Sequence, residues 1–178
     1  SGIPAEHIDY SRDGKWVTYV TFANGTLWRS RVDGSDRIQL TTYPLFAALP
    51  QWSPDGRQIV FNGQLPNGHI QIYVVSAEGG KPEKVTDGEK DAVDPTWSPD
   101  GKRVTFNESQ GSAQQISSVD LSTRQVTPIP DSKGLYSPRM SPDGRFIVAV
   151  NTPENRLLRL VDTQTQKWST LFDSKTGG

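Results

Sequence analysis

Short runs of alternating apolar and polar residues follow one another along the whole chain, and none carries a helical apolar period. Four of them are Trp16-Val17-Thr18-Tyr19-Val20, Gln58-Ile59-Val60-Phe61, Arg103-Val104-Thr105-Phe106 and Phe146-Ile147-Val148-Ala149-Val150. Branched and aromatic residues dominate these runs, as in strands. A turn signal precedes each. Ser53-Pro54-Asp55-Gly56, Ser98-Pro99-Asp100-Gly101 and Ser141-Pro142-Asp143-Gly144 are identical, and Ser11-Arg12-Asp13-Gly14 is a degenerate copy. Their glycines, at 14, 56, 101 and 144, stand 42, 45 and 43 residues apart. Self-similarity at this period is the signature of a repeat architecture, in which no single copy can bury its apolar faces alone.

Anchored on that glycine, the copies align column by column. A basic residue follows each time (Lys15, Arg57, Lys102, Arg145), and a strand centred on Tyr10, Trp52, Trp97 or Met140 comes before. Pro50, Pro95 and Pro138 are placed to begin that strand without forfeiting a ladder hydrogen bond. In the turn, proline presets φ, aspartate supports the bend and glycine takes the left-handed position. Arg12 in place of proline is expected to loosen the first turn. A second hairpin is predicted through Ala23-Asn24-Gly25-Thr26, Pro66-Asn67-Gly68, Gln110-Gly111-Ser112 and Pro153-Glu154-Asn155. Third strands begin near Leu27, Ile72, Ile116 and Leu158. After turns at Asp33-Gly34, Glu78-Gly79, Ser122-Thr123 and Gln164-Thr165, fourth strands end near Leu40, Val85, Ile129 and Leu171. Four repeats result, spanning roughly 5–41, 47–86, 92–130 and 135–173, each of four antiparallel strands in up-and-down order.

Four-stranded sheets repeated radially make a β-propeller, so the expected class is all-β, with four four-stranded antiparallel blades in one domain over 1–178. Strand, Trp-Ser-Pro-Asp-Gly-basic, strand ending in Phe, strand, Gly-Gly, strand ending in Leu/Val-Thr resembles the TolB-like (WD-related) propeller repeat. The fullest copy runs from Pro50-Gln51-Trp52-Ser53 through Phe61 and Ile72-Tyr73-Val74-Val75 to Val85-Thr86. The resemblance covers nearly the whole chain. It departs at Ile116-Ser117-Ser118-Val119 and in the fourth copy, which lacks both Trp and the terminal Phe; weaker local packing is expected there. Trp52, Trp97, Phe61, Phe106, Tyr19 and Tyr73 are expected to fill the space between blades, with a carbohydrate-stacking platform as the alternative. Relatives of this kind more often have six or more blades. Ser1-Gly2 and Thr176-Gly177-Gly178 therefore read as edges of an excised piece, and 172–178 as a lead-in to a further repeat. A closed four-bladed ring and a homodimer completing a larger, eight-bladed ring both stand open.

Composition narrows the chemistry. Among 178 residues, 19 basic against 20 acidic side chains give a net charge of −1, with no footprint for nucleic acid or an anionic membrane. No apolar run is long enough to span a bilayer, so membrane insertion is not expected. Cysteine is absent, which removes disulfides, thiolate nucleophiles and cysteine-bound zinc. An apolar fraction of 33%, with 16 glycines and 13 prolines, suits short strands and many turns. The two histidines, His7 and His69, fall in different repeats, and no hydrolase or phosphate-binding motif occurs. Asp13, Asp55, Asp100 and Asp143 are turn residues rather than metal ligands. Asp33-Gly34-Ser35-Asp36 follows a calcium loop only at its start. No cofactor or metal is expected.

Function then belongs on a blade rim, the one shared by the loops before each first strand and the second-to-third-strand hairpins. There fall Glu6-His7, Tyr43-Pro44-Leu45-Phe46, Glu89–Asp94 and Lys133–Tyr136, with His7, Tyr43, Phe46, Asp91, Asp94 and Tyr136 as candidate binding residues. Tyr43 and Phe46 are unusual for a loop, either anchoring a partner or tucking against the adjacent blade. The resemblance implies a non-enzymatic scaffold that binds a protein or peptide partner, periplasmic or otherwise outside the bacterial cytoplasm. The alternative it implies is the substrate-gating propeller of a prolyl-oligopeptidase-like hydrolase with its catalytic domain outside this chain. A lyase-type propeller would need more metal-binding histidines than the two present.

Overall fold

Each Ser-x-Asp-Gly segment closes the same hydrogen-bonded turn, and these four turns organise the sheets. In the computed structural model, which describes residues 4–151 and 157–173, the glycine N–H donates to the serine carbonyl at 2.9 Å in all four copies. The serine hydroxyl donates to the aspartate Oδ1 at 2.6, 2.6, 2.6 and 2.5 Å (Ser11, Ser53, Ser98, Ser141). The same hydroxyl accepts the N–H of the first residue of the next strand, Trp16, Gln58, Arg103 or Phe146, at 2.9–3.0 Å. All four glycines have φ between +67° and +74°, a region costly to any residue with a Cβ. The turn with Arg12 matches the others bond for bond, against the expectation that it would be looser. Serine, aspartate and glycine make every bond; proline only presets a dihedral angle.

The strands are β1 (Ala5–Tyr10), β2 (Trp16–Thr21), β3 (Thr26–Arg31), β4 (Ile38–Gln39), β5 (Phe46–Trp52), β6 (Gln58–Gln64), β7 (Gln71–Ser76), β8 (Glu83–Lys84), β9 (Asp91–Trp97), β10 (Arg103–Gln110), β11 (Ala113–Asp120), β12 (Val126–Pro128), β13 (Leu135–Met140), β14 (Phe146–Asn151), β15 (Leu157–Asp162) and β16 (Lys167–Asp173). They form four four-stranded antiparallel sheets, β1–β4, β5–β8, β9–β12 and β13–β16, each in sequence order. This is the blade architecture of a β-propeller. Among the described residues no helix is long and apolar enough to cross a membrane. The expected hairpin at Pro153-Glu154-Asn155 lies outside the described residues, as do the terminal segments 1–3 and 174–178.

First strands start earlier than the prolines suggested. β5 and β9 open at Phe46 and Asp91, so Pro50 and Pro95 lie inside them, as Pro138 lies inside β13. The residue seven before the turn glycine has a left-handed backbone in every copy: His7 (φ 51°), Leu49 (48°), Asp94 (57°) and Ser137 (54°). In β1, β5 and β13 the pairing register slips there, as in a β-bulge. Proline is tolerated after this residue because the ladder is already interrupted and the strand is at a sheet edge.

The chain divides into two compact units, Ser1–Pro95 and Thr96–Gly178. In the first, Val20, Leu27, Leu40, Trp52, Ile59, Phe61, Tyr73 and Val75 form one buried cluster, with Trp16, Ile38 and Leu45 packed against it. Phe61 and Tyr73, opposite each other on β6 and β7, stack at 5.7 Å. In the second, Ile116, Leu135 and Ala149 are buried together under Ile129 and Trp168. All six aromatic residues expected in the interior (Trp52, Trp97, Phe61, Phe106, Tyr19, Tyr73) are buried. A hydroxyl beyond the fourth strand recurs in the first three sheets. Thr41, Thr86 and Ser132 accept the buried N–H of Leu27, Ile72 and Ile116 at 2.8, 2.9 and 3.2 Å.

Ser53→Ala removes a buried hydroxyl that both donates and accepts, so a loss of about 1–3 kcal/mol is expected in urea titrations. The aspartates Asp13, Asp55, Asp100 and Asp143 are held below the usual carboxylate range, first by the serine hydroxyl and then by a backbone N–H. Because their folded values lie below the unfolded one, their contribution is complete above about pH 4 and is lost as pH falls through the folded values. The urea midpoint should therefore decline on acidification below about pH 4, and less steeply in a Ser53→Ala/Ser98→Ala protein.

Candidate functional site

An apolar rim on the first unit is the most conspicuous exposed surface. Phe46 opens β5 with its side chain 42% exposed, and Tyr43, three residues before it, is 79% exposed. Their rings meet edge-to-face, centroids 6.1 Å apart and planes at 83°. Beneath Phe46 lies the β2–β3 hairpin. A Cβ placed on Gly25 would come within 2.9 Å of Phe46 Cδ1, and Gly25 has φ +58°. The Ala47 N–H donates to the Gly25 carbonyl at 2.7 Å. Phe46 tucks against the neighbouring sheet, while Tyr43 stands out from it. Phe46 is a strand residue rather than a loop residue.

Two further residues share this rim and escaped the sequence reading. Phe22 (71% exposed) follows β2, and Leu65 (45% exposed) follows β6. Each sits immediately before the hairpin segment of its sheet, where small polar residues are usual. That position was the available signal. With Tyr43 and Phe46 they give the rim four large exposed apolar side chains.

The remaining candidates belong to strands, not to loops. Asp91, the first residue of β9, accepts the Ile70 N–H at 2.8 Å and lies 3.2 Å from His69 Nδ1. His69 lies in the loop between β6 and β7, half-exposed and paired with Asp91, and Asp91 fixes the end of the β6–β7 hairpin. The Asp94 N–H donates to the Asn62 Oδ1 at 3.0 Å. His7 is exposed, with Nδ1 3.8 Å from Glu6 Oε1. His7 and Asp94 occupy the same left-handed position in their strands, so both side chains are aimed by a bulge-type backbone. Tyr136, in the second unit, is half-buried opposite Val150. The structure brings together Tyr43 with Phe46 and His69 with Asp91.

Deeper in the first unit, Asp9 Oδ2 accepts the Trp52 N–H at 2.8 Å and ties β1 to β5. Burial raises the Asp9 pKa, opposed by the N–H groups of Trp52 and Tyr10. Thr96 Oγ1 and the Met140 N–H make the equivalent contact in the second unit, at 3.4 Å. Among the described residues no three His, Cys, Asp or Glu side chains converge as a metal site. The aspartate of the loop at 33–36 accepts both the N–H and the hydroxyl of Ser35, at 2.9 and 2.7 Å, which is turn chemistry.

A family model described as TolB beta propeller domain matches residues 7–177. The structure of putative TolB from Agrobacterium tumefaciens superposes with a TM-score of 0.82 at 24% identity, over 98% of this chain and 64% of that one. TolB from Acinetobacter baumannii gives 0.77 at 22% identity, over 99% of this chain and 45% of that one. The chain thus spans less than two thirds of either structure. A 38-residue stretch is 45% identical to the uncharacterized peptidase YuxL of Bacillus subtilis (strain 168), covering 21% of this chain and 6% of that protein.

Gly25→Ala should cost about 1 kcal/mol or more, from both its positive φ and the collision with Phe46. In a double-mutant cycle that cost should shrink when Phe46 is also Ala. Strictly additive costs would show that Phe46 does not rest on the hairpin.

Proposed function

The chain belongs to the TolB β-propeller domain family, and we propose that it is a non-enzymatic module binding a protein or peptide partner through the rim of its first unit. One observation carries this reading: the exposed edge-to-face pair Tyr43 and Phe46, flanked on the same rim by Phe22 and Leu65. Aromatic side chains in such positions supply large contact area with few rotors to immobilise, and they dominate interface energetics where they occur. Phe46 is held from below by Gly25, so half of the pair is ordered before any partner arrives, which lowers the entropic cost of docking. His69 and Asp91 add a polar, paired border. His7, Asp94 and Tyr136 are secondary contacts in this reading. Placement outside the bacterial cytoplasm follows from likeness to the TolB proteins and belongs to the same proposal.

A second reading rests on the 38-residue match to a peptidase. In it the propeller gates access to a hydrolase domain encoded in the same gene. A parent gene without a hydrolase region would remove that reading.

Selection of a random peptide library on the domain tests the first. Peptides recovered on the native protein should lose about tenfold or more in affinity for Tyr43→Ala/Phe46→Ala. Peptides that bind both proteins equally would take the rim out of the proposal.

A further inference from the structure

The seam between sheets is plugged in the first unit and open in the second. On the side of the Ser-x-Asp-Gly turns, the first unit fills its seam with Trp16, Arg29, Ile38 and Trp52. The Arg29 guanidinium lies 4.1 Å from the Trp16 ring centroid, and its side chain is only 7% exposed. Its Nε donates to the Ala77 carbonyl at 2.6 Å and its Nη2 to Glu78 Oε2 at 3.1 Å. Trp52 is buried beside them, in the cluster against which Trp16 and Ile38 pack.

Strand register identifies the same positions in the second unit. Thr18 pairs with Arg29 and Arg29 with Ile38; correspondingly, Thr105 pairs with Ser118 and Ser118 with Thr127. Trp52 pairs with Ile59 as Met140 pairs with Ile147. Arg29 is thus replaced by Ser118, Ile38 by Thr127, Trp52 by Met140 and Trp16 by Arg103. The Arg103 guanidinium is engaged by Asp120 Oδ2 at 3.3 Å. Three of these four replacements remove volume outright, and the fourth removes the aromatic ring. A crevice of about 500 Å³ occupies the space, walled by Met140, Ile147, Val161, Pro99 and Pro128. That is the size of a ligand site, not a packing flaw.

Its chemistry restricts the occupant. The walls are mainly apolar, interspersed with hydroxyls such as Ser118 and Thr127, and include an adaptable thioether suited to a ring edge. Arg103 is the only ionisable residue among the lining. Glu78, which neutralises Arg29 in the first unit, has Gln164 at the corresponding place after the third strand. Arg103, though paired with Asp120, keeps its guanidinium half-exposed, so a carboxylate entering the crevice would meet a donor and no lining carboxylate. We propose that the crevice is a binding site for a tryptophan side chain of a partner polypeptide, carried in an acidic segment that faces Arg103. The ring replaces the plug that the first unit supplies from its own chain. This site is separate from the aromatic rim, and its failure would leave the rim reading untouched.

Met140 is the single methionine of the chain, so [13C]methyl-methionine labelling places one NMR reporter in the crevice wall. Titration with acetyl-Glu-Trp-Glu-amide should shift that signal upfield and saturate, with a Kd of about 1 mM or tighter. Acetyl-Lys-Trp-Lys-amide and free N-acetyltryptophanamide should bind several-fold more weakly. Ser118→Arg and Thr127→Ile, which restore pieces of the plug, should each weaken binding about tenfold. Thr127 is exposed on a short edge strand, so its variant keeps the test alive if Ser118→Arg fails to fold. A missing or non-saturating shift, equal binding by the lysine peptide or the free amide, or unchanged binding by Thr127→Ile would each overturn the proposal.

Discussion

The serine hydroxyl at the head of each Ser-x-Asp-Gly turn is the contact on which the blades depend. It donates to aspartate and accepts from the first residue of the next strand, so two strands leave the turn in one register only. Register matters because strand side chains alternate between faces, and a slip by one residue would exchange the side chains that the two faces present. With the register set, Ile59 and Phe61 face the interior, and their cross-strand partners follow. A hydroxyl beyond the fourth strand then ties the third strand from its other end. Between these two hydroxyls the first three blades are held at both rims by short, local bonds.

Much of this was legible in the residues because each feature has a local cause. A Pro-Asp-Gly or Asn-Gly step marks a bend with its mechanism attached, and runs of branched and aromatic residues mark the strands between; burial of β6 and β7 on both faces was not announced by them. The aromatic columns announced themselves as interior by recurring at fixed distances from the turn. The left-handed backbone at His7, Leu49, Asp94 and Ser137 was not legible, because no common residue type marks it. Position in the strand imposes that conformation, and the prolines that follow in three copies are its only trace. Reading those prolines as strand starts placed Asp91, Asp94, Phe46 and Tyr136 in loops, one structural level away from where they are.

The rim and the crevice show two ways in which repeats diverge. At the rim, apolar residues were added where hairpins usually carry small polar ones, as Phe22 and Leu65 illustrate. In the crevice, bulk was taken away from positions whose equivalents in the first unit are full. The missing Trp of the fourth copy was visible in the sequence, but its consequence was not. A lost indole leaves a cavity only if its neighbours fail to close in, and here Arg29 and Ile38 had also given way to Ser118 and Thr127. Chemistry specific to one copy is therefore written in differences between equivalent columns rather than in any motif.

Ser132 extends that lesson to the connections. Thr41 and Thr86 stand fourteen positions after the residue whose N–H they accept, whereas Ser132 stands sixteen after Ile116, yet its hydroxyl reaches the same buried amide. The passage from one blade to the next can therefore lengthen without disturbing either sheet, provided a hydroxyl still arrives at that amide. An engineer choosing an insertion point in this chain has that freedom at the blade junctions.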